Sequence, residues 1–285
     1  RDLHSFPTRR SSDLVLTART QFVLADSAAR VVLTGGSEAR ALAATAGMLP
    51  AGAAAVAVED AIDGRLPIAS APALGSSGGD PVYVMYTSGT TGRPKGSLIA
   101  HRAVVRLVVG NESLRFGPDD VMLQTGALSF DASTLEIWGM WLNGGALVHA
   151  ADREDILTPE RLRQLVRRHG VTAMWLTASL FNQIVSLEPN ALDGVTRIWS
   201  GGEKLSPEHV AMLYAANPDV LVINGYGPTE NTTFTTTHPI PRGCRDIPIG
   251  RPISNTTCHV LDGTRVCGIG EVGELVTGGD GVSLG

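Results

Sequence analysis

The stretch Tyr83-Val-Met-Tyr-Thr-Ser-Gly-Thr-Thr-Gly-Arg-Pro-Lys-Gly96 joins an apolar run to a loop of hydroxyl and glycine residues that ends on a lysine. Glycines let backbone N–H groups turn towards a ligand, hydroxyls add donors, and Lys95 adds a positive charge. Such a set suits a polyphosphate. It is not a Walker A loop, because the G-x4-G-K-[ST] order is missing and Pro94 opposes direct entry into a helix. On composition alone the same stretch also reads as a linker.

Three later strings carry candidate chemistry. In Ser129-Phe-Asp-Ala-Ser133 an acid follows an apolar residue where a strand gives way to a helix. Asp131 reads there either as an N-cap or as a partly desolvated carboxylate, which is costly unless a cation meets it. Gly201-Gly-Glu203 follows Arg197-Ile-Trp-Ser200, and Asn224-Gly-Tyr-Gly-Pro-Thr-Glu230 follows the apolar run Val220–Ile223. Each is also readable as a plain turn. Open α/β sheets bind ligands at strand ends, where all three are expected to lie.

Together these strings resemble the motifs of adenylate-forming enzymes, the superfamily of acyl-CoA synthetases and nonribosomal peptide synthetase adenylation domains. Asp131, with Glu136-Ile-Trp-Gly139 and Leu142-Asn-Gly144, fits the peptide-synthetase branch. The resemblance implies that Thr87, Ser88, Gly89, Thr90, Thr91, Gly92 and Lys95 hold the β- and γ-phosphates of ATP. It implies that Asn224 and Tyr226 hold the adenine, with Gly202 and Glu203 beside it, that Thr229 contacts the α-phosphate, and that Glu230 ligates Mg²⁺. Lys95, Thr229 and Glu230 are the implied catalytic set. Asp131 would pair with the α-ammonium group of an amino acid.

By offset from these motifs, the substrate side chain should meet Ala132, Leu135, Trp175, Trp199, Gly201, Gly225, Thr233 and Phe234. Apart from Asp131 the set is uncharged, so an apolar or aromatic amino acid is expected. Trp175 and Trp199 are equally readable as core residues. The implied reaction is formation of aminoacyl-AMP and pyrophosphate, followed by transfer to a carrier-protein phosphopantetheine thiol. A carrier-protein domain and a condensation domain are the implied partners. The alternatives are another adenylate-forming ligase, such as an acyl-CoA synthetase, or a catalytically incomplete ATP-binding piece. Gly273-Glu-Leu-Val-Thr-Gly-Gly-Asp-Gly281 resembles the next family motif. The ribose-binding aspartate, the hinge and the catalytic lysine of a small C-terminal domain are expected beyond Gly285, so the chain reads as part of the large subdomain.

The elements that must position these residues alternate. A helix over 20–29 precedes a strand over 30–34, and a helix over 37–49 precedes a strand over 55–58. Thr158-Pro-Glu160 opens a helix with Leu162, Leu165 and Val166 on one face, and Arg167-Arg-His169 and Gly170 close it. Strand 171–176 follows. Ser206-Pro-Glu208 opens the next helix, Asn217-Pro218 ends it, and strand 220–223 follows. Repeated helix-then-strand units predict an α/β fold with largely parallel sheets flanked by helices. Beyond 235, short segments among prolines and glycines predict β structure, a partial β-barrel. The expected organisation is a foreign or disordered leader over 1–14, an α/β adenylation core over 15–234 and a β-rich segment over 235–285.

Composition narrows the function classes. The 285 residues are 43% hydrophobic and 18% charged with a net charge of -5, which argues for a globular protein and against a nucleic-acid surface. Arg161, Arg163, Arg167 and Arg168 read as one solvated helical face. Cys244, Cys258 and Cys267 lack C-x-x-C spacing and read as reduced thiols, and the seven histidines show no metal-ligand spacing. The uncharged stretch 41–58 is interrupted by Gly47, Pro50 and Gly52 and makes a poor bilayer span. A cytoplasmic protein without membrane contact is expected.

Overall fold

A computed structural model describes residues 17–44, 47, 49–64, 75–88, 93–150 and 152–285. The expected leader over 1–14 lies outside the described residues. The described chain forms two compact units, one drawn from the residues before 77 together with Tyr86–Gly96, the other from Ser77–Met85 and Ser97–Gly285.

In the first unit, α1 (Ala18–Asp26) is capped by Thr17, whose hydroxyl accepts the Thr20 N–H at 3.1 Å. There follow β1 (Val31–Thr34), α2 (Gly36–Ala44), β2 (Ala54–Ala57) and α3 (Val58–Ile62). β1 and β2 are parallel with Val31 opposite Ala54, as expected for a helix-connected strand pair. α2 ends short of the expected Leu49, and Gly47 beyond it takes a φ of 76° that no helix contains. β3 (Pro81–Ser88) and β4 (Pro94–Ala100), each divided between the two units, form a two-stranded sheet.

The second unit continues with α4 (His101–Val108), β5 (Val121–Gln124), α5 (Ala132–Trp141), β6 (Ala146–His149), α6 (Glu154–Leu157) and α7 (Pro159–His169). Next come β7 (Ala173–Thr177), α8 (Ala178–Leu187), β8 (Arg197–Gly201), α9 (Pro207–Ala216) and β9 (Leu221–Tyr226). Five short strands close the chain: β10 (Thr236–Pro239), β11 (Arg251–Pro252), β12 (Thr256–Asp262), β13 (Arg265–Val266) and β14 (Glu274–Gly279). One sheet runs β11-β10-β9-β8-β7-β5-β6, parallel from β9 to β6 and antiparallel at β10 and β11. The β-rich end therefore divides. β10 and β11 extend the main sheet, while β13-β12-β14 form a separate antiparallel sheet.

The cap chemistry explains where the connecting helices begin and stop. α7 starts with Pro159 at its first turn and ends at Gly170, whose φ of 62° is the left-handed cap expected there. Thr158 occupies the N-cap position, but its side chain makes no cap bond. α9 is capped by the Ser206 hydroxyl, which accepts the His209 N–H at 3.4 Å. Arg163 pairs with Glu160 and Arg167 with Asp193 on the outer face of α7, so these arginines sit among acids and not on a bare basic patch.

Side chains alternate across the strands and build two cores. Met174, Leu176, Ile198 and Val222 face the core packed by α7, α8 and α9. Ala173, Trp175, Trp199 and Ile223 face the other, with Leu135 and Met140 of α5. β5 lies between β6 and β7: the chain steps outward from β5 to β6 and then crosses back past β5 to β7, so the strand order reverses there, and such a switch point is where open α/β sheets bind ligands. Among the described residues no helix is long and apolar enough to cross a membrane.

Candidate functional site

Helix α5 is apolar except near its buried Glu136, which clamps the connection that leaves β5. Its Oε1 accepts the Thr125 N–H at 2.9 Å and the Gly126 N–H at 3.1 Å. The Thr125 hydroxyl lies 3.2 Å from the same oxygen and also bonds the Trp175 carbonyl on β7. A hydroxyl has one proton to give, so a protonated Glu136 can supply the other bond. A Cβ on Gly126 would stand 2.9 Å from Glu136 Oε2, so a larger residue there must push the carboxyl group aside.

Burial raises the Glu136 carboxyl from 4.5 to about 7, although the Thr125 and Gly126 amides pull the other way. An acid whose folded pKa is raised binds more protons in the folded state, so its contribution to stability falls as pH rises from 4.5 to 7. The melting temperature of the chain should therefore drop over that window. In Glu136→Gln this component of the slope should vanish, as thermal unfolding at a series of pH values would measure.

Asp131 is the last residue before α5, in the N-cap position, yet its side chain makes no cap bond. The Thr229 hydroxyl and the Ala132 amide lie near enough to its carboxylate to favour the charged form, with Glu230 close enough to repel it. Burial, the largest cause, and that repulsion raise its pKa. The Asp131 carbonyl accepts the Thr233 hydroxyl at 2.8 Å. Tyr83 adjoins the site, with its hydroxyl 2.7 Å from Thr134 Oγ1; burial foremost, with the charge of Asp131 adding, pushes the phenol up to about 12.

The loop after β9 supplies the other half of this group. Thr229 and Glu230 open a short 3-10 turn, and Thr232 and Thr233 then adopt φ values of 51° and 63°. Consecutive β-branched residues in the left-handed region are strained and must be held by their surroundings. Glu230 is exposed, and its carbonyl accepts the Ser283 N–H at 2.8 Å. Among the described residues no group of three or more His, Cys, Asp or Glu could hold a metal. A single exposed carboxylate fits Mg²⁺ shared with phosphates and water, but not an all-protein cage.

The residues expected around a substrate side chain converge in the core beneath α5. Ala132, Leu135, Trp175, Trp199 and Phe234 share one buried cluster. Trp199 is 0% exposed and packs on Phe116 with ring centres 5.2 Å apart; its buried indole N–H has no partner among the described residues. Trp175 and Phe234 lie 5.4 Å apart. Gly201 and Gly225 sit opposite each other on β8 and β9. A Cβ on Gly201 would come within 2.0 Å of the Gly225 carbonyl, and a Cβ on Gly225 within 2.2 Å of the Phe234 ring. Gly201→Ala should therefore destabilise the fold by about 3 kcal/mol, checked by urea unfolding.

Of the residues expected beside the nucleotide, Gly202, Glu203, Asn224 and Tyr226 lie at the ends of β8 and β9. Gly202 has a φ of 84°, Glu203 is exposed, and Tyr226 is exposed at the end of β9. Asn224 is buried, with its amide donating to the Pro248 carbonyl at 2.9 Å. In the first unit Thr87 and Ser88 end β3, and Lys95 is exposed on β4; Gly89, Thr90, Thr91 and Gly92 lie outside the described residues. Sequence reasoning gave no role to Glu136, Thr125 or Arg106. A lone charge inside an otherwise apolar helix face, as at Glu136 and Arg106, was the available signal.

Comparison with known proteins agrees with this fold. The profile of the family described as AMP-binding enzyme matches residues 13–285. The chain is 44% identical over 216 residues to tyrocidine synthase 3 of Brevibacillus parabrevis, covering 75% of this chain and 3% of that protein. It is 39% identical over 272 residues to surfactin synthase subunit 2 of Bacillus subtilis (strain 168), covering 94% and 7%. Among solved structures, PA1221, a nonribosomal peptide synthetase protein containing adenylation and PCP domains, superimposes with a TM-score of 0.75 at 39% identity, covering 82% of this chain and 41% of that one. The Klebsiella oxytoca NpsA N-terminal subdomain in complex with 3-hydroxybenzoyl-AMSN gives 0.78 at 27% identity, covering 92% and 64%. The chain thus spans only a small part of the curated relatives it matches.

Proposed function

Because the chain belongs to the AMP-binding enzyme family, we propose that it supplies the amino-acid- and ATP-binding part of an adenylation domain of nonribosomal peptide synthesis. One observation carries this assignment: Asp131 is a partly desolvated carboxylate with no ion-pair partner among the described residues, set after β5 at the point where the strand order of the sheet reverses. Such a group calls for a cation, and the α-ammonium of an amino acid is the cation this chemistry provides. A fatty-acid substrate carries none, which disfavours an acyl-CoA synthetase.

In the proposed reaction the amino acid carboxylate attacks the α-phosphorus of ATP, the bond to the β-phosphate oxygen breaks, and pyrophosphate leaves. Catalysis of this kind consists largely of positioning and electrostatic stabilisation. The ammonium is assigned to the Asp131 carboxylate, and the nearby Thr229 hydroxyl to an α-phosphate oxygen. Thr87 to Gly92 and Lys95 are assigned to the departing phosphates on their chemistry. Glu230 is assigned to Mg²⁺, which when bound neutralises phosphate charge. The apolar surroundings of Trp175 and Phe234 favour an apolar substrate side chain.

The carrier-protein thiol and a neighbouring condensation domain are the proposed partners, in a cytoplasmic assembly line. Exchange of labelled pyrophosphate into ATP by the polypeptide carrying this chain tests the reaction. Stimulation by an apolar amino acid is the expected result, whereas stimulation only by fatty or aryl acids would assign the chain to another branch.

A further inference from the structure

We propose that Arg106, on α4, is the positioning residue of the 229–235 loop: its guanidinium binds the carbonyls of that loop and so fixes Thr229, Glu230 and Thr233 around Asp131. The inference rests on the proposed role of that loop in holding substrate. Arg106 is buried, and its Nη1 donates to the Asn231 carbonyl at 3.3 Å and the Thr232 carbonyl at 3.4 Å. Its Nη2 donates to the Phe234 carbonyl at 2.9 Å, while Nε donates to Thr256 Oγ1 on β12 at 2.9 Å. The carbonyls therefore bracket the two threonines whose backbones are left-handed.

Burying a guanidinium is costly unless its donors are met, and here oxygen atoms of one loop and one strand meet them. The fork of a guanidinium reaches acceptors in several directions at once, which an ammonium cannot do. The site is also shaped for this side chain. A Cβ on Gly281 would stand 2.5 Å from Arg106 Cζ, and the Gly281 carbonyl accepts the Thr232 hydroxyl at 2.8 Å. Burial lowers the Arg106 pKa only to about 10, so the group stays charged at neutral pH. Strain at Thr232 and Thr233 needs an external clamp, and Arg106 is the residue placed to provide it.

The test compares wild type, Arg106→Lys and Arg106→Gln in the full chain by two readouts. Amide hydrogen exchange is followed at residues 229–236 and, as a remote control, in α7. Calorimetry measures binding of an aminoacyl-sulfamoyl adenosine, a stable adenylate analogue. The expected result is exchange at least tenfold faster in the loop with α7 unchanged. Binding should weaken by about tenfold in the lysine variant and about 100-fold in the glutamine variant. If Arg106→Gln does not fold, Arg106→Lys alone decides.

Unchanged loop exchange, or exchange that rises equally in α7, would overturn the proposal by making Arg106 an ordinary core residue. So would wild-type affinity in a folded lysine variant. Failure of the wild-type chain to bind the analogue would instead count against the adenylation assignment, leaving the exchange result to decide the role of Arg106.

Discussion

Asp131→Ala should weaken binding of an aminoacyl-sulfamoyl adenosine by about 150- to 5,000-fold, measured by calorimetry on the chain. The size follows from geometry. A carboxylate already stripped of much of its water gains a full ion pair when an ammonium arrives, and loss of one partner of a desolvated pair costs roughly 3–5 kcal/mol. Stability should change far less, because the carboxylate contributes no cap bond to α5 and sits beside Glu230 at an energetic cost. The affinity should also depend on pH in one direction. Asp131 has a raised pKa, so binding of the cation strengthens as pH rises through it, and Asp131→Asn should lose that dependence.

Trp199→Ala should remove about 3–5 kcal/mol of stability, read from urea unfolding. Trp199 is wholly buried and packed on Phe116, with the Arg197 guanidinium 5.6 Å from its ring centre. No reachable rearrangement of β8 fills so large a void, since its neighbours on β7 and β9 are fixed by the strand pairing. Trp199→Phe keeps most of the volume and should cost much less. The contrast separates a structural tryptophan from one that only lines a substrate slot, for which the change would appear in binding and leave unfolding nearly unmoved.

The sequence made the helix and strand order legible because its punctuation is local. Thr158-Pro-Glu160 with Gly170, and Ser206-Pro-Glu208 with Asn217, mark ends that depend on neighbours only a few residues away. The grouping of Asp131 with Thr229 and Thr233 was not legible from spacing, since about 100 residues separate them and only the parallel pairing of β5, β7, β8 and β9 brings their loops to one end of the sheet. It came from resemblance. Arg106 and Glu136 escaped for a related reason. Each satisfies backbone groups, of strained Thr232 in one case and of Gly126 in the other, and backbone acceptors and donors leave no side-chain signature in a sequence. Packing at Gly225 was equally hidden, because the Phe234 ring that forbids a Cβ there arrives from a loop whose left-handed turn no propensity of threonine predicts.

The central claim is that Asp131 receives the ammonium of an adenylated amino acid. It is tested most directly by titrating the chain with two matched ligands, an apolar aminoacyl-sulfamoyl adenosine and its counterpart lacking the amino group. Tighter binding of the aminoacyl ligand by at least ~100-fold, with the preference gone in Asp131→Asn, is the predicted result. Equal affinity for the two ligands, or preference for the one without the amino group, would contradict it.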